Sequence, residues 1–239
     1  MEKHTLSLII PAYNEEKSIG DCLDYAIANS SGKFMEIIVI DNASSDRTRA
    51  IAESKGVTVI SEAKKGVMRA RQRGFETARG DLLAFIDADT RMPRGWPEKI
   101  LEEFTNNPRS ACLSGPYIYY DTSRWQQLLV KIFWHILAMP VYWIVGYMVV
   151  GGNFAIRRAV LEKMNGFDTS IQFYGDDTDI ARRANAFGKV IFSPSFFMPT
   201  SSRRLAGQGM FKTTFLYVIN FISQVIMHKS ITKKYKDIR

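Results

Sequence analysis

Hydrophobic and polar positions alternate in a regular order through the first half of the chain. Four continuous apolar runs predict buried strands, at 6–10, 36–40, 57–60 and 82–86. Segments with helical spacing lie between them, at 17–29, 46–54 and 66–78. Pro11 is expected to end the first strand, and Asp46 is the expected N-cap of the second helix. This alternation predicts a mostly parallel, Rossmann-like sheet with helices on both faces.

Polar and acidic clusters follow three of these strands, at 11–16, 41–46 and 87–89. Ligands of such sheets bind outside the carboxyl ends of the strands, so we expect the clusters to meet at one edge. Helix capping accounts well for Ser44 and Asp46 but poorly for Asp87 and Asp89. Two carboxylates one residue apart repel each other unless a positive charge lies between them. Mg²⁺ or Mn²⁺ is the natural candidate, because these ions prefer carboxylate oxygens and bridge to substrate phosphates.

The second half contains a 19-residue stretch, 132–150, without Asp, Glu, Lys or Arg. It is long enough to cross a membrane. A single crossing, however, would put the acids at 87–89 and those at 176–179 on opposite sides of the bilayer. We therefore predict one or two amphipathic helices that lie on a membrane or line an acceptor groove. A pair of buried core helices is the alternative.

A second amphipathic segment is predicted over 205–239. Its apolar run, 215–227, is too short to cross a membrane and is followed by a basic tail, which suits an anionic membrane surface. The alternative is a helix packed on its own domain.

The composition limits the classes of partner that the protein could bind. The 239 residues carry 32 Lys and Arg against 24 Asp and Glu, a net charge of +8 that needs an anionic partner. The excess concentrates in 64–79 and in the C-terminal tail, which favours a nucleotide diphosphate and a membrane surface over nucleic acid. The two cysteines and three histidines form no zinc or disulfide pattern, so a metal would need oxygen ligands.

Several motifs, taken in order, resemble those of family 2 glycosyltransferases, which have the nucleotide-diphospho-sugar transferase fold known as GT-A. They are PAYNEE at 11–16, the acid Asp41, KKGVMRARQRG followed by DAD at 64–89, GGNFAIRR at 151–158, GFD at 166–168 and YGDDTDIARR at 174–183. Two positions depart from the family pattern: Gln72 stands where Asn is common, and Asp176 stands in the usual place of Glu.

The resemblance implies a role for each matching residue. The nucleotide-sugar site would comprise Pro11, Ala12, Tyr13, Glu15, Asp41, Gly66, Arg71, Asp87, Ala88 and Asp89. Asp89, with Asp87, would hold Mg²⁺ or Mn²⁺, and Asp177 would be the catalytic base beside Asp176. Gly152 and Asn153 would lie against the donor sugar or the acceptor. Arg203 and Arg204 are candidates for contacting a diphosphate, from either the leaving group or a lipid.

The expected activity is inverting, metal-dependent transfer of a sugar to an acceptor hydroxyl or phosphate, which requires a stabilised leaving group and a carboxylate base. The acceptor could be lipid-linked, in cell-envelope or polysaccharide synthesis. Three alternatives stay open. The acids at 176–179 could have no catalytic role and serve only to stabilise the start of a helix, in ion pairs with Arg182 and Arg183. The protein could instead be a sugar nucleotidyltransferase, or a non-catalytic membrane-associated scaffold that binds nucleotide sugars.

The expected organisation is a single α/β domain of GT-A type over 1–204, with amphipathic interface helices. Its donor half would run over about 1–115 and its acceptor half over 116–204, before the 205–239 tail. We expect peripheral membrane contact through 125–150 and 207–239, and a cytoplasmic location on the inner face of the cell membrane.

Overall fold

A seven-stranded sheet forms the centre of the protein in a computed structural model, which describes residues 4–171, 175–208, 216, 219–221, 223–225 and 227. Its strands are β1 (Leu6–Ala12), β2 (Phe34–Asp41), β3 (Thr58–Ser61), β4 (Leu82–Ile86), β5 (Ser110–Ser114), β7 (Asn153–Arg157) and β8 (Lys189–Phe192). They lie in the order β3-β2-β1-β4-β7-β5-β8. Strand β7 runs antiparallel to β4 and β5, and the other pairs are parallel. A small parallel sheet joins β6 (Tyr117–Tyr119) to β9 (Met198–Thr200).

Helices cover both faces of the sheet. They are α1 (Ile19–Ala28), α2 (Thr48–Ser54), α3 (Val67–Thr77), α4 (Trp96–Asn106), α5 (Arg124–Ile132), α6 (Met139–Val145), α7 (Arg158–Lys163), α8 (Asp176–Asn185) and α9 (Arg203–Gln208). Successive strand residues point to opposite faces, so Leu8 and Ile10 enter one core and Ile9 enters the other. The predicted α/β class, with its mostly parallel sheet between helical layers, is confirmed.

Two local predictions need correction. Strand β1 does not end at Pro11: it continues to Ala12 because its pairing with β2 extends through Pro11. Its pairing with β4 stops earlier, at Ile9, so the missing N–H of Pro11 interrupts no bond there. The N-cap of α2 is Arg47, not Asp46. Asp46 still supplies the capping bond, because its Oδ1 accepts from the Thr48 N–H at 3.0 Å.

The loops after β1 and β2 meet, as expected for neighbouring parallel strands. The Asn14 N–H donates to Ser44 Oγ at 3.0 Å, and the Ser45 N–H donates to Asn14 Oδ1 at 2.8 Å. The Glu16 N–H donates to Asp46 Oδ2 at 3.1 Å. Asn14, Ser44 and Asp46 therefore build the loops themselves, in line with the capping role expected for such residues.

Residues 124–145 form one continuous helix, in which a π-helical segment (Phe133–Ala138) joins α5 to α6. It begins at a capping box made by Ser123 and Gln126 and ends at Gly146, whose φ of +83° suits glycine. By length and composition this helix could cross a membrane, and only 6% of its most apolar window is buried. A pair of buried core helices is therefore the wrong description.

One side of this helix packs on the domain. The Trp134 Nε1–H donates to the Tyr117 carbonyl at 3.0 Å, and the Tyr142 hydroxyl donates to the Val190 carbonyl at 3.2 Å. The opposite side exposes large apolar side chains. They are Trp125, Leu128, Ile132, Ile136, Leu137, Val141, Trp143 and Ile144, which we call the outer apolar face.

Most of the predicted C-terminal amphipathic segment and all of its basic tail lie outside the described residues. Of those described, Asn220, Ser223 and Gln224 are buried, and Phe221 packs against the apolar cluster formed by Ala138, Met148, Val150 and Phe192. These residues pack on their own domain, which was the alternative considered for this segment.

Candidate functional site

A buried arginine lies where the carboxyl end of β4 meets the start of α8. Arg71, on α3, has only 4% of its side chain exposed. Its Nη1 lies 2.8 Å from Asp176 Oδ2 and 4.0 Å from Asp177 Oδ1. Its Nη2 lies 3.9 Å from Asp87 Oδ1. A buried guanidinium needs such partners to offset its lost hydration. The structure thus brings together four residues that the motifs had singled out.

The two adjacent acids of α8 differ in their surroundings. Asp176 is bonded to Arg71 and has 12% of its side chain exposed, whereas Asp177 has 33% exposed. Burial raises the pKa of both carboxyl groups, and the charge of Asp176 raises the pKa of Asp177 further. Asp177 is therefore the more accessible acid and a weakly acidic one.

Helix stabilisation explains a third acid but not this pair. Asp179 lies 2.8 Å from Arg182 Nη2 and 3.4 Å from Arg183 Nη1, which are the pairings considered for the whole acidic start of α8. Asp176 and Asp177 face Arg71 instead. The alternative that all of these acids serve only the helix start therefore holds for Asp179 alone.

A tyrosine not singled out in the sequence completes this part of the site. The Tyr117 hydroxyl donates to Asp87 Oδ2 at 2.7 Å. Burial and the neighbouring Asp87 charge raise the pKa of Tyr117, so its proton stays on the phenol. Tyr117 stands in an aromatic run, YIYY, that carries no motif. Only the position of β6 beside the end of β4 reveals its role.

The glycines of the GGN motif allow the main chain to approach these acids. A Cβ at Gly152 would lie 1.9 Å from the Tyr117 hydroxyl oxygen and 2.2 Å from Asp87 Oδ2. A Cβ at Gly151 would lie 2.1 Å from Asp177 Oδ1. A side chain at either position would displace these groups of the site. The structure therefore places Gly152 against the acids of the site.

Asn153 is held differently from the expectation. Its side chain is fully buried and its Oδ1 accepts from Trp96 Nε1–H at 2.9 Å. Its Nδ2 donates to the carbonyls of Gly115 and Phe196, at 3.0 Å and 2.6 Å. The structure thus gives Asn153 a structural role that ties β7 to its surroundings, with no exposed surface toward a sugar.

Asp89 forms a second ion-paired group with residues distant in the chain. Arg203 Nη2 lies 3.0 Å from Asp89 Oδ2 and also donates to Glu15 Oε1. Burial raises the pKa of Asp89 to about 6, although Arg203 opposes the shift. Arg203 thus contacts two of the expected site residues, and Arg204 follows it in α9, half-buried. Contact of either arginine with a diphosphate stays a prediction.

The remaining expected nucleotide residues lie at the same carboxyl edge. Pro11 and Ala12 end β1, Asp41 ends β2, and Ala88 is buried just after β4. The Tyr13 ring has Lys65 Nζ 4.4 Å from its centroid.

An asparagine that the sequence did not single out links two of these loops. Gly66 adopts a φ of +142°, which favours glycine, and its N–H donates to Asn42 Oδ1 at 2.8 Å. Asn42 Nδ2 in turn donates to the carbonyls of Glu62 and Lys64, at 3.2 Å and 2.8 Å. Asn42 thus joins the end of β2 to the start of α3.

The carboxylates of the site fit a divalent cation that takes only one or two ligands from the protein. No group of three or more His, Cys, Asp or Glu that could hold a metal occurs among the described residues. Asp87 and Asp89 still offer two carboxylates, and 39% of the Asp87 side chain is exposed. Mg²⁺ in proteins is often held by one or two carboxylates and completed by substrate phosphates. These residues fit that arrangement, provided that Arg203 leaves Asp89.

The fold is that of the GT-A glycosyltransferases. The family model described as "Glycosyl transferase family 2" matches residues 7–164, and the chain belongs to that family. The predicted family is thus confirmed.

Two curated relatives illustrate the match. An undecaprenyl-phosphate 4-deoxy-4-formamido-L-arabinose transferase of Shewanella sediminis is 38% identical over 104 residues, which cover 40% of this chain and 30% of the relative. The probable glycosyltransferase YdaM of Bacillus subtilis is 26% identical over 77% of this chain and 47% of its own length. The chain thus spans less than half the length of these relatives.

Solved structures share the fold. The mannosyltransferase PcManGT of Pyrobaculum calidifontis, in complex with GDP-Man and Mn²⁺, superposes with a TM-score of 0.72 at 18% identity, over 95% of this chain and 65% of that one. Glucosyl-3-phosphoglycerate synthase of Mycobacterium tuberculosis, in complex with Mn²⁺, UDP-glucose and phosphoglyceric acid, gives a TM-score of 0.62 at 20% identity, over 93% and 80%.

Proposed function

We propose that this protein is an inverting, divalent-metal-dependent glycosyltransferase that moves a sugar from a nucleotide-diphosphate donor to an acceptor hydroxyl or phosphate. The observation that carries the proposal is the unequal pair around Arg71, in which Asp176 is neutralised and Asp177 stays accessible. The bound ligands of the solved neighbours, GDP-Man with Mn²⁺ and UDP-glucose with Mn²⁺, support the donor class.

In this proposal Asp177 takes the proton when the acceptor group is a hydroxyl, whereas an acceptor phosphate is largely deprotonated at neutral pH and needs no base. Burial and the charge of Asp176 raise the pKa of Asp177, which makes it a stronger base than an exposed aspartate when it is deprotonated. Asp176 and Arg71 fix the start of α8, and the glycine at 151 lets the main chain reach the Asp177 carboxylate. One accessible carboxylate suffices for a single displacement, which inverts the configuration of the anomeric carbon.

The donor would bind along the carboxyl ends of β1, β2 and β4, in the half we assign to about 1–115. Tyr13, Asp41 and Gly66 would contact the base and ribose there. Asp89 and Asp87 would hold Mg²⁺ or Mn²⁺ together with the donor phosphates. When bound, the ion stabilises the negative charge that develops on the leaving nucleoside diphosphate.

We further propose that the acceptor is lipid-linked and that the protein works at the cytoplasmic face of a membrane, in cell-envelope or polysaccharide synthesis. The undecaprenyl-phosphate transferases among the relatives support a lipid phosphate. The outer apolar face lies on the helix whose inner side contacts Tyr117, next to the site. Peripheral contact would keep both acidic motifs on one side of the bilayer.

Thermal unfolding with UDP-, GDP- and dTDP-sugars in the presence of Mn²⁺ tests the donor class, because a bound ligand raises the melting temperature. We expect stabilisation by one of them. Absence of any response would contradict a transferase, whereas stabilisation without turnover on any acceptor would favour a scaffold. The anomeric configuration of the product, read by NMR, tests inversion.

Substitution tests the base. Asp177→Asn should keep the donor-dependent stabilisation but lose turnover by about 10²–10⁴-fold. Asp179→Asn is the matched control: it breaks ion pairs on the same helix turn yet should keep turnover per folded molecule. Near-normal turnover of Asp177→Asn, with donor and metal saturating, would refute the assignment.

A further inference from the structure

Arg203 supplies positive charge at the carboxylate expected to bind the metal. Its Nη2 lies 3.0 Å from Asp89 Oδ2 and donates to Glu15 as well. The Glu15 and Asp89 side chains are 3% and 14% exposed. Two carboxylates with so little exposure to water favour a cation between them, and Arg203, which is distant in the sequence, provides it.

The main chain that carries Arg203 is fastened to this site independently of its side chain. The Arg91 N–H donates to the Pro199 carbonyl at 2.8 Å, and the Ser201 N–H donates to the Asp89 carbonyl at 3.2 Å. The carboxylate of Asp121 accepts from Ser201 Oγ at 2.7 Å and from the Ser202 N–H at 2.8 Å. Loss of the Arg203 ion pairs would therefore leave the start of α9 in place.

The Arg203 side chain has room to leave Asp89. It is 27% exposed, in contrast to Arg71, which is enclosed by its partners. An arginine has several rotatable bonds, so its head can move while its backbone stays fixed. A divalent cation binds carboxylate oxygens, so it would compete with Arg203 for the Asp89 carboxylate.

We propose that Arg203 holds the place of the divalent cation at Asp89, and that its guanidinium must leave before this carboxylate can coordinate a metal. The inference rests on the proposed function, because it presumes that Asp89 is a metal ligand. It makes Arg203 a positioning residue that sets metal affinity and keeps the carboxylates paired in the absence of donor. The affinity of the site for a metal ion is then lower than the Glu15 and Asp89 carboxylates would give without Arg203.

Metal binding without turnover tests this directly. Free Mn²⁺ is measured by electron paramagnetic resonance during titration of the full chain, without nucleotide. Arg203→Gln should bind Mn²⁺ roughly tenfold or more tightly than the unmodified protein, since a directly opposed charge shifts carboxylate affinity for a cation by one or more factors of ten. Arg203→Lys, which keeps the charge but not the fork, should fall between the two.

Arg47→Gln is the matched control. Arg47 pairs with Glu16, the neighbour of Glu15, but at 82% side-chain exposure and away from Asp89. It should leave Mn²⁺ affinity unchanged. Thermal unfolding of each variant shows which variants are folded. If Arg203→Gln does not fold, Arg203→Lys provides the comparison with the unmodified protein.

The outcomes separate the two proposals. Equal or weaker Mn²⁺ binding by Arg203→Gln, in a protein that turns over with Mn²⁺, would refute the place-holding role and leave the transferase standing. Full turnover of the unmodified protein in the presence of a chelator would refute it too, and would make Arg203 a permanent substitute for the ion. If no variant binds Mn²⁺ even with nucleotide present, both proposals fail.

Discussion

Arg71 makes two neighbouring aspartates chemically different. It lies 2.8 Å from Asp176 and 4.0 Å from Asp177, so it neutralises the first more than the second. Burial raises the pKa of Asp177, the charge of Asp176 raises it further, and Arg71 opposes the shift. The proton affinity of the proposed base thus depends on its burial and on the two side chains beside it.

Asp176→Asn should lower the pKa of Asp177. The substitution removes the negative charge that raises this pKa and leaves the Arg71 charge that lowers it. A base with a lower pKa stays deprotonated at lower pH, so the acid limb of the kcat/KM profile should move to lower pH. Steady-state kinetics across pH measure it.

The control for that experiment is Asp179→Asn, whose acid limb should stay where it is in the unmodified protein. Breaking one side of a buried ion pair costs about 3–5 kcal/mol, so the melting temperature of Asp176→Asn is measured first and kinetics are run well below it. An acid limb that stays fixed or moves upward would contradict the proposed coupling.

At this scale the motifs singled out residues that the structure brings together around Arg71, but their roles stay predictions and the contacts between them were not predicted. Arg71 lies on the buried face of α3 with Met68 and Gly74, which are three residues before and three residues after it. Arg73 instead pairs with Glu76 at the surface. The contact of Arg203 with Asp89 could not be predicted, since it joins residues 114 positions apart.

Among the elements, the turn that leads into β7 positions the acids. The Asn153 N–H donates to the Val150 carbonyl at 2.9 Å, which closes a tight turn over Gly151 and Gly152. The two glycines then lie against Asp177 and Asp87 respectively. A methyl group added here would therefore disturb the acids of the site without a substitution of any charged residue.

Gly152→Ala should lower kcat/KM by about 10²-fold or more. The new methyl would overlap the Tyr117 hydroxyl and Asp87 Oδ2, and displacement of a site group by about 1 Å can cost that much. Steady-state kinetics with saturating Mn²⁺ measure the loss.

Gly20→Ala is the control for this substitution. It adds a methyl in α1 that meets Ile51 at an ordinary 3.5 Å and should leave kcat/KM unchanged. Normal activity of Gly152→Ala would mean that catalysis does not depend on the Tyr117–Asp87 contact.

The local pattern predicted the strands and helices of the first half but not the order of β4, β7 and β5. Strand β7 enters between two strands that precede it in the chain, and it does so antiparallel. That insertion surrounds Asn153 with Trp96, Gly115 and Phe196, which come from three separate segments. The sequence pattern within 151–158 does not indicate these neighbours.

On the scale of the whole molecule, the long helix connects an exposed apolar surface to the site. Trp134 on its inner side binds the Tyr117 carbonyl, and the Tyr117 hydroxyl binds Asp87. The helix contains no acidic residue and carries Arg124 and Lys131. An amphipathic helix of this kind suits the surface of an anionic bilayer, where it would hold the acidic edge close to the lipid-linked acceptor that we propose.

The sequence alone left this helix open between a core and a surface position. Its length and lack of charge over 132–150 fit both. In the structure, Trp134 and Tyr142 face Phe192, whereas Trp143 is exposed. These orientations depend on the π-helical segment and on the surface against which the helix packs. A π-helical segment changes the phase of the apolar pattern, so residues beyond it leave the register that the preceding helix predicts.

Replacing Trp143 and Ile144 together by Ser should weaken binding to anionic vesicles by at least tenfold. These side chains are 70% and 85% exposed, and insertion of each large apolar side chain contributes about 1.5–3 kcal/mol. The unmodified protein should sediment with phosphatidylglycerol vesicles and be released by salt, because the basic residues add an electrostatic part. Met35→Ser, which removes an exposed apolar side chain on β2 instead, is the control and should bind as before. Equal sedimentation of the double variant and the unmodified protein would place the membrane contact elsewhere on the chain.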